Sequence, residues 1–530
     1  MVLFAGRAAR QDANVFILAE MNDVSAAVAA LEAAIAREGA STARLSELAG
    51  LRLAAGDPEG AIAAYQQSIF AAPSPGLYNN LGTALVRAGR YPEAIAALET
   101  ALSLQPGYLR ALVNLGKALR EVGRIGDAVS RLREALAQSP DYVPALINMG
   151  DALAAAHDLD AAQQTLELAV RLAPTRVEAQ MALGIVYLQA GRMTESLAAL
   201  YMAVRLAPDH AEAHANLAHA LFVTGDWPAA WPHFAHRFQR LARRVTLHAP
   251  QDRVRWDGTL SPDLELWLLG EQGLGDQLQF SRYAKLLAGR GVRCVIACDP
   301  RIVGLLSLAD LGARIVPLET STDHPSARWF PLMSLPEWHR TRPDTVPFAQ
   351  GYLAADPRCI DRWRIRLPRT QELVVALAWA GNPLMETGRY GGRSPPLAAL
   401  APLLQVPGVR FISLQKGPGE EQLDRAPFAS EIMRLPELDA GPDAFLDTAA
   451  VLKCTDLLVT SDTAIAHLAG GLGVPTWLCL MHEPDWRWMR RGTSTPWYDS
   501  MRLFRQPAPG DWAGVYGEVA AALALRAPPR

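Results

Sequence analysis

The chain has 530 residues, half of them hydrophobic and a fifth charged, which is room for two or three packed domains and excludes a disordered protein. Its formal net charge of −3 leaves no whole-chain basic footprint, so no nucleic-acid partner is expected. No apolar run approaches the roughly eighteen residues of a membrane span, so none is expected.

Residues 1–41 read as an N-terminal helical segment. Its opening, MVLFAGRAARQDAN, is too short and too quickly charged for a secretory signal, which makes a cytoplasmic location the expectation. From 42 to 240 the sequence repeats. A step of 34 residues links Gly82, Gly116, Gly150 and Gly184, and the same step links Pro106, Pro140, Pro174 and Pro208. Ala101, Ala135, Ala169 and Ala203 run in the same phase, and an earlier unit fits at a step of 33 through Gly56, Ala61 and Pro73. Small residues at these places let two helices of one unit approach closely, and the prolines end the second helix. The pattern resembles tetratricopeptide repeats, about five full units with partial helices at both ends. Such α-solenoids expose a long concave surface and commonly hold another protein.

Beside the glycines stand Asn80, Asn114 and Asn148; Ala182 interrupts the column and Asn216 resumes it. Amide side chains in a groove can hydrogen-bond an extended peptide backbone whatever its sequence. The arrangement resembles the protein O-GlcNAc transferases, which use an asparagine ladder in that way. Packing and turn preferences also place asparagine at this position, and the sequence leaves both readings open.

Residues 241–262 read as a linker. Beyond them short apolar strands alternate with helices, as a doubly wound α/β region requires, with strands expected at Leu264–Leu269, Val292–Ala297, Leu373–Trp379, Arg410–Leu414 and Leu457–Thr460. Two strand-to-helix junctions stand out. In LLGEQGLGDQLQFSRY, Gly270, Gly273 and Gly275 form a loop and Asp276 opens a helix. In LLVTSDTAIAHLAGGLGVPTWLCL, Ser461, Asp462 and Thr463 offer N-cap side chains to a helix starting near Ala464, whose first turn favours an anion. Two such junctions suggest two Rossmann-like domains, at 263–368 and 369–530, facing each other across a cleft. The five cysteines include no CxxC pair, and Cys294 and Cys298 read as core residues on one face of a strand. The stretch PDWRWMRRGTSTPWY gathers Trp486, Trp488 and Trp497 with Arg487, Arg490 and Arg491, which suits a base or sugar and equally suits packing between two lobes. A final helix is expected at about Trp512 to Leu525.

Residues 263–510 resemble the ADP-heptose:lipopolysaccharide heptosyltransferase family, and more closely its relatives fused to tetratricopeptide repeats. GLGDQ at 273–277, WAGNP at 379–383 with RSPPL at 393–397, SLQKG at 413–417 and SDTAIAHLAG at 461–470 carry the likeness, with PDWRW and RLFRQ after them. The resemblance implies a GT-B fold and metal-independent, inverting transfer from a nucleotide-sugar, with no further cofactor. It implies Asp276 as the base that takes the acceptor proton. It also implies donor binding by Asn382, Arg389, Arg393, Lys416, Asp462, Thr463, Ala464 and His467. The family usually has glycine after the Asp-Thr pair, and the methyl of Ala464 limits how closely a phosphate approaches. Asp276 as a helix cap and the basic residues as surface cations are the bland alternatives.

The expected whole is a glycosyltransferase whose repeats present an acceptor protein, such as flagellin, to a nucleotide-sugar cleft. An inactive repeat scaffold and an enzyme acting on lipopolysaccharide or another glycan are the rivals.

Overall fold

The computed structural model describes residues 24–238, 254–320, 327–367, 371–383 and 392–527. It forms two compact units, Met1–Pro208 and Asp209–Arg530.

In the first unit a helix over 24–38 precedes five helix pairs. These are Thr42–Ala54 with Pro58–Ala71, Pro75–Arg87 with Tyr91–Leu104, Leu109–Glu121 with Ile125–Gln138, Val143–Ala155 with Leu159–Leu172, and Val177–Gln189 with Met193–Leu206. From the second pair onward both helices start in the 34-residue phase of the glycines. The reason for the glycines is steric. A Cβ built on Gly82, Gly116, Gly150 or Gly184 would lie 2.5, 2.7, 2.4 or 2.6 Å from the Cγ of Leu98, Leu132, Leu166 or Leu200. Each leucine comes from the second helix of the same pair and is fully buried there. Gly150→Ala therefore gains about 1 kcal/mol of helix propensity but overpacks a filled site at a cost of about 1–3 kcal/mol. The expected net loss is roughly 1 kcal/mol. Faster amide exchange in 143–172 of the intact chain checks it, and unchanged protection would show that the leucine yields without cost.

The second unit opens with a sixth pair, Ala211–Thr224 and Trp227–Phe234, still in the 34-residue phase. It is joined to the α/β body by aromatic packing. Phe222 stacks on Trp486 at 4.0 Å between centroids and Trp227 on Trp497 at 5.3 Å. The Trp231 indole donates to the Thr341 carbonyl at 2.8 Å. These tryptophans are buried, so the structure resolves the two readings of the PDWRW stretch for Trp486 and Trp497 in favour of packing.

The body holds two all-parallel sheets. The first comprises β1 (Glu265–Leu269), β2 (Arg293–Cys298), β3 (Ala313–Pro317) and β4 (Ala327–Pro331), in the order β3-β2-β1-β4. The second comprises β5 (Leu373–Ala378), β6 (Val409–Ser413), β7 (Ile432–Met433), β8 (Leu457–Ser461), β9 (Thr476–Leu480) and β10 (Met501–Arg505), in the order β10-β9-β8-β5-β6-β7. Read from the other edge, and counted from its own first strand, that is the 3-2-1-4-5-6 order of a doubly wound sheet, which reverses between β5 and β8. The final helix, Trp512–Arg526, covers this sheet through Val515, Tyr516, Val519 and Leu523. Cys294 and Cys298 lie in the core of the first sheet, as their spacing predicts.

Within this unit the two sheets are cross-tied. Tyr352 and Leu353 donate their backbone N–H groups to the Gly471 carbonyl at 2.7 and 2.8 Å. Buried Arg282, on the helix Leu274–Ala288, donates to the carbonyls of Trp497 at 2.9 Å and Pro347 at 3.2 Å.

Candidate functional site

Ala378 ends β5 opposite Thr460 of β8, at the reversal of strand order, where a doubly wound sheet leaves a crevice for ligand. The loop after β5 is braced on three sides. Buried Gln415 accepts from the N–H groups of Trp379 and Ala380, each at 2.9 Å, and donates to the carbonyls of Ala380 at 3.0 Å and Pro418 at 2.8 Å. Ser394 Oγ accepts from the Gly381 N–H at 2.9 Å, and Ser461 Oγ donates to the Trp379 carbonyl at 3.0 Å. Gly381 sits between two functional candidates: a Cβ there would lie 3.2 Å from Thr463 Cγ2 and 3.5 Å from Arg393 Nη2.

The helix after β8 spans Ala464–Gly471, as expected, but its start is not capped as expected. Thr463 is the N-cap residue and makes no side-chain capping bond, and Ser461 is spent on the neighbouring loop. Thr463 Oγ1 is instead buried without a hydrogen-bond partner, and so is Arg393 Nε. These two unsatisfied polar groups stand on the loops after β8 and β5, both beside Gly381, and have hydrogen-bonding capacity that no protein group uses.

The other junction meets this one directly. The helix Leu274–Ala288 begins at Gly273 as N-cap, and Asp276 lies in its first turn with Oδ2 accepting from the Gly273 N–H at 3.1 Å. A Cβ on Gly275 would strike His467 Cδ2 at 2.8 Å and the Ala464 Cα at 3.2 Å. The third glycine of this loop thus lets the two helix starts touch, and Ala464 is part of that contact. Asp276 Oδ1 accepts from Arg487 Nη2 at 2.5 Å. Arg487 also donates through Nη1 to Asp485 at 2.9 Å and through Nε to Gln279 at 2.7 Å. Burial raises the Asp276 carboxyl above its ordinary value, against the opposite pull of Arg487.

The remaining expected residues are placed as follows. His467 is buried, with Nδ1 3.0 Å from the Tyr498 hydroxyl and its ring stacked on Trp488 at 5.4 Å. Burial and then Arg487 hold it well below its ordinary value and therefore neutral. Its ring is committed to packing between the two junctions. Asn382 and Lys416 are exposed, Asn382 in the loop after β5 and Lys416 in the turn after β6. Arg389 lies outside the described residues. Arg487 and Gln279 carried no assigned role in the sequence reading. The PDWRW run and its place after β9 were the available signal for Arg487; nothing marked Gln279.

Asp462 stands among Asp485, Arg393, Arg487 and the Trp488 indole. Burial, then Asp485, pushes its carboxyl up to about 6, while Trp488, Arg393 and Arg487 pull it back. The folded chain therefore holds a proton that the unfolded chain releases near pH 4. Stability from this residue falls as pH rises from about 4 to about 6 and stays lost above. Asp462→Asn is expected to stabilise the protein by about 1–3 kcal/mol at pH 8 and by little at pH 4. Melting curves at the two pH values check this, and an equal effect at both would assign the change to packing.

The repeat unit has a cavity of its own, about 380 Å³, lined by Tyr65, Asn79, Asn80, Thr83, Arg110 and Asn114 among others. Asn114 donates to Asn79 Oδ1 at 2.8 Å and Thr83 Oγ1 at 3.2 Å, and Asn79 donates to Asn80 Oδ1 at 3.2 Å. Asn80 and Asn114 are therefore joined through Asn79, which the repeat phase does not mark. Asn148 turns back to the Pro144 carbonyl at 2.8 Å. Asn216 belongs to the second unit, where its Nδ2 is buried without a partner.

Residues 17–75, 75–141 and 119–186 match models described as tetratricopeptide repeat, so the first unit is a tetratricopeptide-repeat array, a scaffold of the kind that binds proteins. Protein FlbA of Caulobacter vibrioides is 29% identical over 300 residues, covering 51% of this chain and 48% of its own length. The chain thus spans about half the length of that curated relative. Among solved structures, a thermophilic tetratricopeptide-repeat protein of Thermus thermophilus is 24% identical, covering 34% of this chain and 99% of that one, with a TM-score of 0.32. MamA of Desulfovibrio magneticus is 25% identical, covering 32% of this chain and 97% of that one, with a TM-score of 0.27. No described helix is long and apolar enough to cross a membrane.

Proposed function

We propose that the α/β unit is a glycosyltransferase of GT-B type that moves a sugar from a nucleotide-sugar to a hydroxyl, the acceptor being a protein held by the repeats. The observation that carries this reading is the pair of unsatisfied buried groups, Thr463 Oγ1 and Arg393 Nε, at the reversal point of a doubly wound sheet. A diphosphate is the ligand that would use both, together with the free N–H groups at the start of Ala464–Gly471. Asp276 faces that position from the other junction. As base it takes the acceptor proton while the new C–O bond forms at the anomeric carbon, and the nucleoside diphosphate leaves with the bonding electrons. Lys416 and Asn382 stand on the neighbouring loops, where they can meet the donor from outside, and neutral His467 shapes the floor. The amides of Asn79, Asn80 and Asn114 are the groups offered to an acceptor segment, flagellin being one protein of the implied class.

One observation favours the scaffold reading. Both oxygens of Asp276 already accept hydrogen bonds, as a purely structural first-turn residue's would. A carboxylate has further lone pairs, and burial makes this one a stronger base than usual, which supports catalysis. Melting the intact chain with ADP-, UDP-, GDP- and CMP-sugars in the presence of EDTA separates the two. One donor class at about 100 times its Kd is expected to stabilise by about 2.7 kcal/mol. No shift with any donor, from protein that still binds a partner through its repeats, would move the assignment to the scaffold.

A further inference from the structure

Arg487 is nearly buried and makes three side-chain bonds, two of them to carboxylates on different segments. It comes from the segment after β9, in the second sheet's half, while Asp276 and Gln279 come from the helix after β1. The charged groups gathered here are Asp276, Asp462 and Asp485 against Arg282, Arg393 and Arg487, with His467 neutral. With all three carboxyls ionised, that set is balanced before any ligand arrives. A diphosphate adds two negative charges, and Arg487 cannot satisfy Asp276, Asp485 and a phosphate equally. Either carboxylate keeps a backbone N–H when the guanidinium leaves it, Asp485 that of Arg487 and Asp276 that of Gly273, and Asp276 is the one whose release frees an oxygen for the acceptor proton.

Resting on the transferase reading above, we infer that Arg487 is the positioning residue of the transfer step. Without a donor its guanidinium holds Asp276. When the nucleotide-sugar binds, the guanidinium exchanges that carboxylate for the diphosphate, freeing Asp276 Oδ1 to take the acceptor proton. The reactive base is thereby unmasked only when a donor is present. The fixed-brace alternative keeps the Arg487–Asp276 pair closed throughout.

The test is a double-mutant cycle on nucleotide-sugar affinity, measured by calorimetry on the full chain with Asp276→Asn, Arg487→Gln and the double variant, and with Arg487→Lys where Arg487→Gln melts too low to use. Exchange predicts that Asp276→Asn binds the donor tighter, by about tenfold, because the competing carboxylate is gone. It also predicts that this gain vanishes when Arg487 is replaced. Unchanged or weaker binding by Asp276→Asn, or a gain that persists without Arg487, would overturn the exchange. A second readout is the pH profile of turnover, whose limb for the base should move in Arg487→Lys, while a brace acting through stability alone would leave it in place. Donor binding by the wild type with no gain in Asp276→Asn sinks this inference and leaves the transferase reading standing. No donor binding by any folded variant sinks both.

Discussion

Asp276→Asn is expected to lower kcat by about three orders of magnitude, within the roughly 10²–10⁴ range that a positioned general base contributes. The substitution isolates the chemistry because asparagine keeps an oxygen for the Gly273 N–H, so the helix start at Gly273 survives. Arg487 keeps Asp485 and Gln279 as partners, so no buried cation is stranded. Single-turnover kinetics with saturating donor should show a slow chemical step with the donor still bound. Turnover at the wild-type rate would remove Asp276 from the mechanism.

The largest expected stability effect lies at the opposite end of the same loop. Glu271, fully buried at the side chain, accepts from Arg237 Nη2 at 2.7 Å and Nε at 3.1 Å, and from the Met333 N–H at 3.1 Å. Arg237 also reaches Ser334 Oγ at 2.9 Å, so one ion pair joins the end of the sixth helix pair, the end of β1 and the turn after β4. Arg237→Leu strands a carboxylate away from water and should cost about 3–5 kcal/mol. Adding Glu271→Leu removes the stranded charge and should recover most of that loss, though not the part owed to the Met333 N–H. Urea titration of the three variants checks this. A double variant as unstable as the single would mean that the leucines do not fit and that packing dominates.

The fold was legible wherever a period or an alternation announced it. From the second pair onward both helices of each repeat follow the 34-residue phase, and the strands expected at 264–269, 292–297 and 457–460 lie within a residue of β1, β2 and β8. The missed strands, β3, β4, β7 and β10, read as ARIVP, ARWFP, IM and MRLFR: short runs, most of them broken by arginine or proline, with little apolar pattern to see. The two junctions were legible because glycine and N-cap residues bracket them. Their contact was not, since Gly275 and Ala464 are far apart in sequence and only the tertiary fold brings them together. The same holds for Arg487. Its neighbours in sequence are aromatic, which suited a binding stack and packing equally; Trp486 and Trp497 pack on Phe222 and Trp227 while the guanidinium turns to Asp276. Expected caps failed for a local reason: Ser461 is the last residue of β8 and points to the Trp379 carbonyl, leaving Thr463 Oγ1 unspent.

The sixth helix pair keeps the phase of the repeats yet belongs to the α/β unit. A cassette of 34 residues removed between equivalent points, such as 109–142, joins positions of identical phase and leaves each remaining glycine opposite the leucine it already faces. The reach of the array is therefore a quantity that can change in whole steps, by duplication or loss, while the residues around Asp276 and Thr463 keep every neighbour they have.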